Sequence, residues 1–270
     1  MSKIARYSQT NPVRQRLKRF PNRHALAGVP VLYGMLCATA AATGLQPEPI
    51  PHVFLGNDSF INDAVGQPDG GLVVSGIFHR INGVPRNHVA RLLPNGELDP
   101  QWQPDIVPAS TGAVATDATS VYIASESGIT RFPPSGPAIA DSQWGVGIDG
   151  AYRGLVLRDG WLYARSFDEP MNVDLIRRFL IGTGNADPTW NVPAGGYVFD
   201  MDFDERGNLF VVGAFSDIGG TARNGLAKLN PDGEVDPVWD PAAPPADRYV
   251  ELAVHADKVI VRGSYGQLGG

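Results

Sequence analysis

Three acidic residues at alternate positions, Asp200, Asp202 and Asp204, have the spacing with which a calcium-binding loop begins. Carboxylate oxygens are the ligands that Ca²⁺ prefers, but such a loop also needs a glycine soon after the third acid and a bidentate glutamate at its end. Glu205 follows directly, and no suitably placed glutamate comes later. Apolar residues alternate with the first two acids, so the pattern favours a strand with one buried face and one face in water.

A Gly-x-Gly-x-x-Gly sequence at Gly145–Gly150 has the spacing of a dinucleotide-binding turn. That turn requires a strand before it and a helix after it, because the helix N-terminus binds the pyrophosphate. Here residues 154–157 are apolar and strand-like, and no long helical periodicity occurs beyond residue 42. The sequence therefore predicts a loop between strands and no bound cofactor.

Candidates for catalysis or metal binding are few. The five histidines form no His-x-x-x-His zinc pattern, and no Gly-x-Ser-x-Gly nucleophile turn is present. His79 and His88 flank a predicted hairpin and could meet in space, although two histidines in surface loops are more often bystanders. The single cysteine, Cys37, lies in the N-terminal segment, so the rest of the chain has no thiolate. We predict no catalytic, cofactor-binding or metal-binding residues.

An Arg-Asn pair occurs twice, as Arg86-Asn87 and Arg223-Asn224, at the same place in two related segments. One interpretation is a polar ring on one face that binds a polyanion or a glycan. The other is that these side chains satisfy loop carbonyls between strands, since buried polar groups need partners. Recurrence in both segments favours the structural interpretation.

The first 42 residues differ from the rest. They hold seven basic residues and no acid, followed by an apolar stretch, Ala25–Ala42, that ends in small residues. This composition predicts a secretory signal; an uncleaved anchor and an organellar transit peptide remain alternatives. Without this segment, 15 basic and 28 acidic residues leave a net charge of −13, which disfavours nucleic acid as a partner. We predict no membrane span beyond residue 42.

A short phrase, Asp-x-x-Trp, occurs four times and indicates how the chain is organised. Its members are Asp99 and Trp102, Asp141 and Trp144, Asp187 and Trp190, and Asp236 and Trp239. Successive tryptophans lie 42, 46 and 49 positions apart. A period in this range is the mark of a repeat architecture.

Two copies of the repeat are strong. Residues 69–104 align with 206–241 at a constant offset of 137, and 18 of 36 positions are identical. Each copy has a buried strand with an internal glycine, Gly76 or Gly213, which marks a bulge or a close backbone approach. A phenylalanine, Phe78 or Phe215, follows two residues later.

Turn residues divide each copy into short strands. Asn82-Gly83 and Gly219-Gly220 predict tight hairpin turns because they accept positive φ. Asp-Pro before each strong-copy tryptophan predicts a turn in which the Asp side chain accepts backbone N–H groups. The tryptophan can then cover the edge of a small sheet. Three or four strands in each period are typical of a β-propeller blade.

The phrase from Gly70 to Trp102 resembles the delta-60 repeat, a bacterial β-propeller repeat of mostly unknown function that occurs in exported and cell-surface proteins. The resemblance covers 69–104 and 206–241 well, and it weakens at 110–145 and 150–192, where the Gly-x-Phe and Arg-Asn elements are missing. It implies an all-β propeller with four-stranded antiparallel blades. It implies no catalytic residue, because the motif is structural.

The domain prediction is a leader, 1–42, followed by a propeller domain, 43–270. Its repeats end near Phe60 and at the four tryptophans of the phrase, and the last repeat stops at Gly270 in mid-blade. We expect about four full blades and a half blade. Further blades would come from a longer chain or from a partner.

Three functions fit these patterns. The favoured one is an exported, non-catalytic binding or scaffolding module, secreted or in the cell envelope, with a protein or glycan partner. The second is a propeller enzyme acting on glycans, either a hydrolase or a lyase. The third is a purely structural surface repeat. Fold analogy cannot choose among them.

Overall fold

The computed structural model describes residues 59–104, 111–168, 173–241, 249–255 and 258–263. They all belong to one of the two units into which the chain divides, Pro49–Gly270. The predicted leader lies outside the described residues. Within them every regular element is a β-strand and every strand pair is antiparallel, so the all-β prediction is confirmed.

Blade 1 is a three-stranded sheet. It contains β1 (Phe60–Gly66) and β2 (Leu72–Ile77), then a small hairpin of β3 (Arg80–Ile81) and β4 (Val84–Pro85), and finally β5 (Val89–Leu92). The sheet order is β1-β2-β5.

The β3–β4 turn forms as its residues predict. Asn82 and Gly83 have φ angles of 51° and 78°, and they join Ile81 to Val84 in a two-residue hairpin. Positive φ at both positions is the requirement of a turn that follows the strand twist, and Asn-Gly meets it at little cost.

Blade 2 has the order β6-β7-β8. Its strands are β6 (Thr111–Thr116), β7 (Val121–Ser125) and β8 (Gly128–Phe132). Blades 3 and 4 share one longer sheet. Blade 3 contains β9 (Tyr152–Arg158), β10 (Trp161–Asp168), β11 (Val173–Leu180) and the first half of β12 (Ala186–Phe203).

Blade 4 contains the second half of β12, β13 (Leu209–Ile218), the short β14 (Thr221–Ala222) and β15 (Leu226–Leu229). Blade 5 is the pair β16 (Tyr249–His255) and β17 (Lys258–Gly263).

The long strand β12 carries the chain from one blade into the next. Residues 186–194 pair with β11, and residues 196–203 pair with β13. The register shifts between Ala194 and Gly196, where Gly196 has a φ of +144°. The outer strand of blade 3 thereby continues as the inner strand of blade 4.

The outermost strand of the four-stranded blade is mostly reduced to a bridge. Blades 1 and 4 close with single bridges, Leu92 to Leu98 and Leu229 to Val235. The Asp-Pro turn begins at the next residue in each blade, and proline has no N–H with which to extend the ladder. Only blade 3, within the described residues, has a full fourth strand.

The hydrophobic core lies between adjacent blades. One cluster joins Trp102 and Val73 of blade 1 to Ile123 of blade 2. Equivalent clusters form around Trp144, between blades 2 and 3, and around Trp190, between blades 3 and 4. The inner strands β1, β6, β9, β12 and β16 lie beside one another in that order.

These blades form an open propeller arc. The described residues contain no helix with the length and apolar character needed to cross a membrane.

Candidate functional site

The Asp-x-x-Trp phrases are placed as turns that fasten each blade to the next. In every copy one Asp oxygen accepts the backbone N–H two residues later. The other oxygen pairs with a cation of the third strand of the same blade; the pairs are Arg91–Asp99, Arg131–Asp141, Arg178–Asp187 and Lys228–Asp236. We call each Asp, its cation and its tryptophan an Asp-x-x-Trp clasp.

The tryptophan of the clasp reaches the following blade. The indole N–H of Trp102 donates to the carbonyl of Pro133, at 2.8 Å, and that of Trp144 to the carbonyl of Ile181, at 2.8 Å. Trp190 donates in the same way to Pro231. A buried indole needs such a partner, so the large ring and its polar edge are both used.

The clasp carboxylates are strong acids in the folded chain. Hydrogen bonds from Thr189 and the Arg178 guanidinium lower the pKa of Asp187 to about 2. Hydrogen bonds from the Lys228 ammonium and the turn amides lower the pKa of Asp236 to about 2. Bonds that favour the ionised form depress a carboxyl pKa.

The two strand glycines lie against backbone. A Cβ on Gly76 would overlap the carbonyl oxygen of Phe60, and one on Gly213 would overlap that of Tyr197. Each lies beside a register shift with the inner strand. Phe78 and Phe215 are buried in the cores of their blades.

The recurrent arginines have equivalent structural partners. Arg86 donates to the carbonyls of Pro85 and Asp99, and Arg223 donates to those of Ala222 and Asp236. Both guanidiniums are largely buried. They hold the clasp turns rather than form a polar ring on the surface. Their neighbours Asn87 and Asn224 are exposed, and Asn87 contacts His79.

Asp200 and Asp202 do not lie on a wet face, so that part of the strand prediction is wrong. Asp200 accepts the backbone N–H of Leu252 at 2.9 Å, and Asp202 accepts that of Val254 at 2.8 Å. They therefore link the inner strands of blades 4 and 5. Asp63, at the same repeat position as Asp200, accepts the N–H of Val114 and links blades 1 and 2.

Burial of these carboxylates disfavours their charged form. It raises the pKa of Asp200 to about 6, with further contributions from the charges of Asp202 and Glu251. It also raises the pKa values of Asp63 and Asp202. Asp204, in contrast, closes a turn by accepting from Asn208 and Arg206. The carboxylates of the considered calcium loop are thus engaged with the protein.

The remaining sequence candidates are separated from catalytic chemistry. The rings of His79 and His88 meet edge to face, with centroids 5.4 Å apart. No group of three His, Cys, Asp or Glu side chains placed to hold a metal ion occurs in the described part of the chain. Gly145–Gly150 lies in a turn region followed by β9 and not by a helix.

A cavity of about 370 Å³ opens between blades 2 and 3. One side is the turn region after Trp144, and the other is the β11–β12 turn. Its lining includes Asp149, Tyr152, Arg177 and Asn185. It is the one place in the described residues where the Gly-x-Gly-x-x-Gly segment meets a charged strand.

The two sides of the cavity are joined by hydrogen bonds. The N–H of Gly145 donates to Thr183 at 3.0 Å, and the Trp144 indole donates to Ile181. Gly184 has positive φ and packs against the Gly145 backbone, where a Cβ has no room. These contacts fix the opening before any ligand arrives.

The floor of the cavity is aromatic. Tyr152 and Phe179 are each 2% exposed, and their rings meet at 5.8 Å in an edge-to-face pair. Burial raises the pKa of Tyr152 above its usual value, although the nearby Arg177 guanidinium partly offsets this. The phenol therefore stays neutral and can donate or accept a hydrogen bond.

Arg177 departs from the repeat. In each blade the residue before the clasp cation occupies the same position in the third strand, and the set is Ala90, Thr130, Arg177 and Ala227. Small residues suffice for the fold at three of the four positions. The Arg177 side chain lines the cavity, and no carboxylate of the described residues pairs with it.

Sequence reasoning missed Arg177, Tyr152, Asp149 and Asn185 as a group. The available signal was the alanine shared by the two strong copies at the Arg177 position. It could be used only after the weak repeats were aligned by their clasp cations, and those cations became recognisable only in the structure.

Two segments, residues 67–101 and 207–237, match the model of a β-propeller domain of unknown function, DUF5122. They fall within the two strong copies. The chain carries β-propeller repeats. A comparison with curated protein sequences finds no match.

Similar solved structures include the extracellular domain of a putative one-component system from B. thetaiotaomicron, with 11% identity, 68% of this chain covered and a TM-score of 0.45. The chain spans 22% of that protein's length. Virginiamycin B lyase from Staphylococcus aureus has 12% identity over 80% of this chain and 88% of the lyase, with a TM-score of 0.47. A protein of unknown function from Bacteroides caccae has 13% identity over 68% of this chain and 67% of its own, with a TM-score of 0.45.

Proposed function

We propose that this chain is an exported, non-catalytic β-propeller module of the delta-60 type that binds a small polar ligand between blades 2 and 3. One observation carries the proposal. Arg177 replaces a small residue of the repeat, takes no part in a clasp and lines a cavity with rigid sides. A charged side chain that the fold does not require is best explained by a ligand, because a half-buried guanidinium is costly to leave without a partner.

A binding role is favoured over catalysis by the way the acids are used. A propeller hydrolase or lyase would need converging carboxylates, with histidine or a metal, near the inner strands. The inner-strand acids Asp63, Asp200 and Asp202 instead accept backbone N–H groups of the next blade. The polar cavity with an aromatic floor also gives the module more than a structural role.

Export is proposed from the basic, acid-free segment at 1–42 and its small-residue end. The acidic balance of the remaining chain fits a ligand other than a nucleic acid.

Binding can be tested by calorimetry on the full chain with a panel of neutral sugars, acidic sugars and amino acids. Ala186→Phe places a large side chain at the cavity, whose lining includes Ala186. Ala222→Phe adds the same ring at an exposed alanine of β14 and serves as the control. We expect at least one panel compound to bind the wild type and Ala222→Phe, and to lose affinity for Ala186→Phe. Absence of binding across the panel, or equal binding to Ala186→Phe, would overturn the proposal.

A further inference from the structure

We infer that the ligand of the cavity between blades 2 and 3 is a short saccharide bearing a carboxylate, a hexuronate unit, whose carboxylate binds Arg177. The inference rests on the proposed function and names its ligand class.

The first argument is the charge of Arg177. Its neighbour Arg178 faces the other side of β11 and pairs with Asp187 at 2.7 Å, as alternate strand residues point to opposite faces. Arg177 is half-buried, stays protonated at any physiological pH, and has no ion-pair partner among the described residues. A carboxylate matches the planar fork of a guanidinium with two parallel hydrogen bonds.

The second argument is the set of groups around the guanidinium. The Asp149 carboxylate accepts hydrogen bonds, the Asn185 amide donates and accepts, and the Tyr152 hydroxyl does both. Sugar hydroxyls are donors and acceptors at once, so they can satisfy all three. A phosphate or sulfate ester has only acceptor oxygens, and it would meet the Asp149 carboxylate unfavourably.

The third argument is size and overall charge. A volume of about 370 Å³ lies at the lower end of the range of about 300–1,000 Å³ for small-molecule sites. It suits a short saccharide. The chain beyond residue 42 carries a net charge of −13, which repels highly charged polyanions far more than a single carboxylate.

The test is calorimetry on the full chain with digalacturonate and with its methyl ester, which has the same rings without the charges. Arg177→Gln removes the positive charge, and Arg177→Lys keeps it without the fork. Arg206→Gln removes an equal charge at an exposed turn and is the control. We expect Arg177→Gln to weaken digalacturonate binding about tenfold or more, with Arg177→Lys intermediate. The ester should bind weakly to every variant.

The inference is overturned if the ester binds as well as digalacturonate, if Arg177→Gln binds digalacturonate as tightly as the wild type, or if digalacturonate does not bind. These failures are distinct from failure of the proposed function. A neutral sugar or an amino acid that binds the wild type and is blocked by Ala186→Phe would leave the binding module standing with another ligand. Circular dichroism spectra of the Arg177 variants should match the wild type, since Ala or Thr is accepted at this position in three other blades.

Discussion

At the scale of single residues, aspartate does two opposite jobs in this chain. Clasp aspartates such as Asp187 and Asp236 are ionised and partnered by cations, which keeps their pKa values near 2. Inner-strand aspartates such as Asp200 accept only backbone N–H groups, and burial raises the pKa to about 6. The two classes therefore give the stability of the chain opposite dependences on pH.

Replacement of Asp200 by asparagine should flatten the pH dependence of stability between about pH 4 and 6. The folded pKa exceeds the unfolded value of 3.8, so the folded chain binds the proton more tightly. The free energy of unfolding should fall as pH rises through this window and then level off. Urea titrations at several pH values measure the slope, which Asp200→Asn should reduce. Asp232→Asn, at an exposed turn, should keep the wild-type slope, and an unchanged slope in Asp200→Asn would contradict the prediction.

Below pH 4 the clasp aspartates should dominate. Their folded pKa values, about 2, lie below the model value of 3.8, so the stability they give is present above pH 4 and is lost as pH falls toward 2. A double variant, Asp187→Asn with Asp236→Asn, should lose less stability than the wild type between pH 4 and 2 in the same urea titrations. Equal losses in both proteins would argue against the clasp ion pairs as the cause.

Substitution of Gly213 by alanine should destabilise the chain by about 2–3 kcal/mol. The new Cβ would overlap the carbonyl oxygen of Tyr197, and backbone cannot move aside as a flexible side chain can. Gly66→Ala is the matched control, because nothing lies within 4 Å of its Cβ position. Chemical denaturation of both variants checks this; a loss in Gly66→Ala as large as in Gly213→Ala would refute the steric argument.

At the scale of elements, the contact that matters is the one between a blade and its successor. The Asp-Pro turn ends the ladder of one blade and aims a tryptophan at the next. Between blades 3 and 4 the connection is firmer still, because β12 serves both sheets as one strand. The longer turn region after Trp144 is what leaves room for the cavity.

Trp144→Phe should cost about 1–3 kcal/mol of stability, because it leaves the carbonyl of Ile181 without its indole donor and removes part of a ring packed on Tyr122. Denaturation followed by far-UV circular dichroism measures this cost. Trp161→Phe is the comparison, since that half-buried ring contacts the Arg178 guanidinium through its face and phenylalanine retains such a contact. A smaller loss is expected there. The reverse order would show that the indole bond contributes little.

At the scale of the whole molecule, stability should be a sum over neighbouring blades. Each large cluster joins two adjacent blades, and the inner-strand links also run from one blade to the next. Such an arrangement behaves as a nearly one-dimensional array, in which a local loss stays local.

Amide hydrogen exchange should reveal this locality. In a double variant, Asp200→Ala with Asp202→Ala, the amides of Leu252 and Val254 lose their acceptors. Exchange should accelerate in peptides covering β16 and stay unchanged in peptides covering β9 and β10. Acceleration spread evenly over blades 1 to 5 would contradict the array description.

Local chemistry made much of the fold readable from the sequence. The Asp-x-x-Trp period predicted repeats, and the Asn82-Gly83 turn followed from the φ preferences of two adjacent residues. The all-β propeller prediction is confirmed because strands, hairpins and turns depend on residues within about ten positions of one another.

Tertiary structure alone decided what the side chains face. Alternation predicted water beside Asp200, but the chain returns 52 residues later and presents the Leu252 amide. Likewise Arg177 is unremarkable in its strand, and it becomes a candidate binding residue only because the segment after Trp144 packs beside it. The sequence by itself determined the repeat and its turns; the stacking of blades decided the cavity and the partners of the buried acids, because these depend on contacts between distant segments.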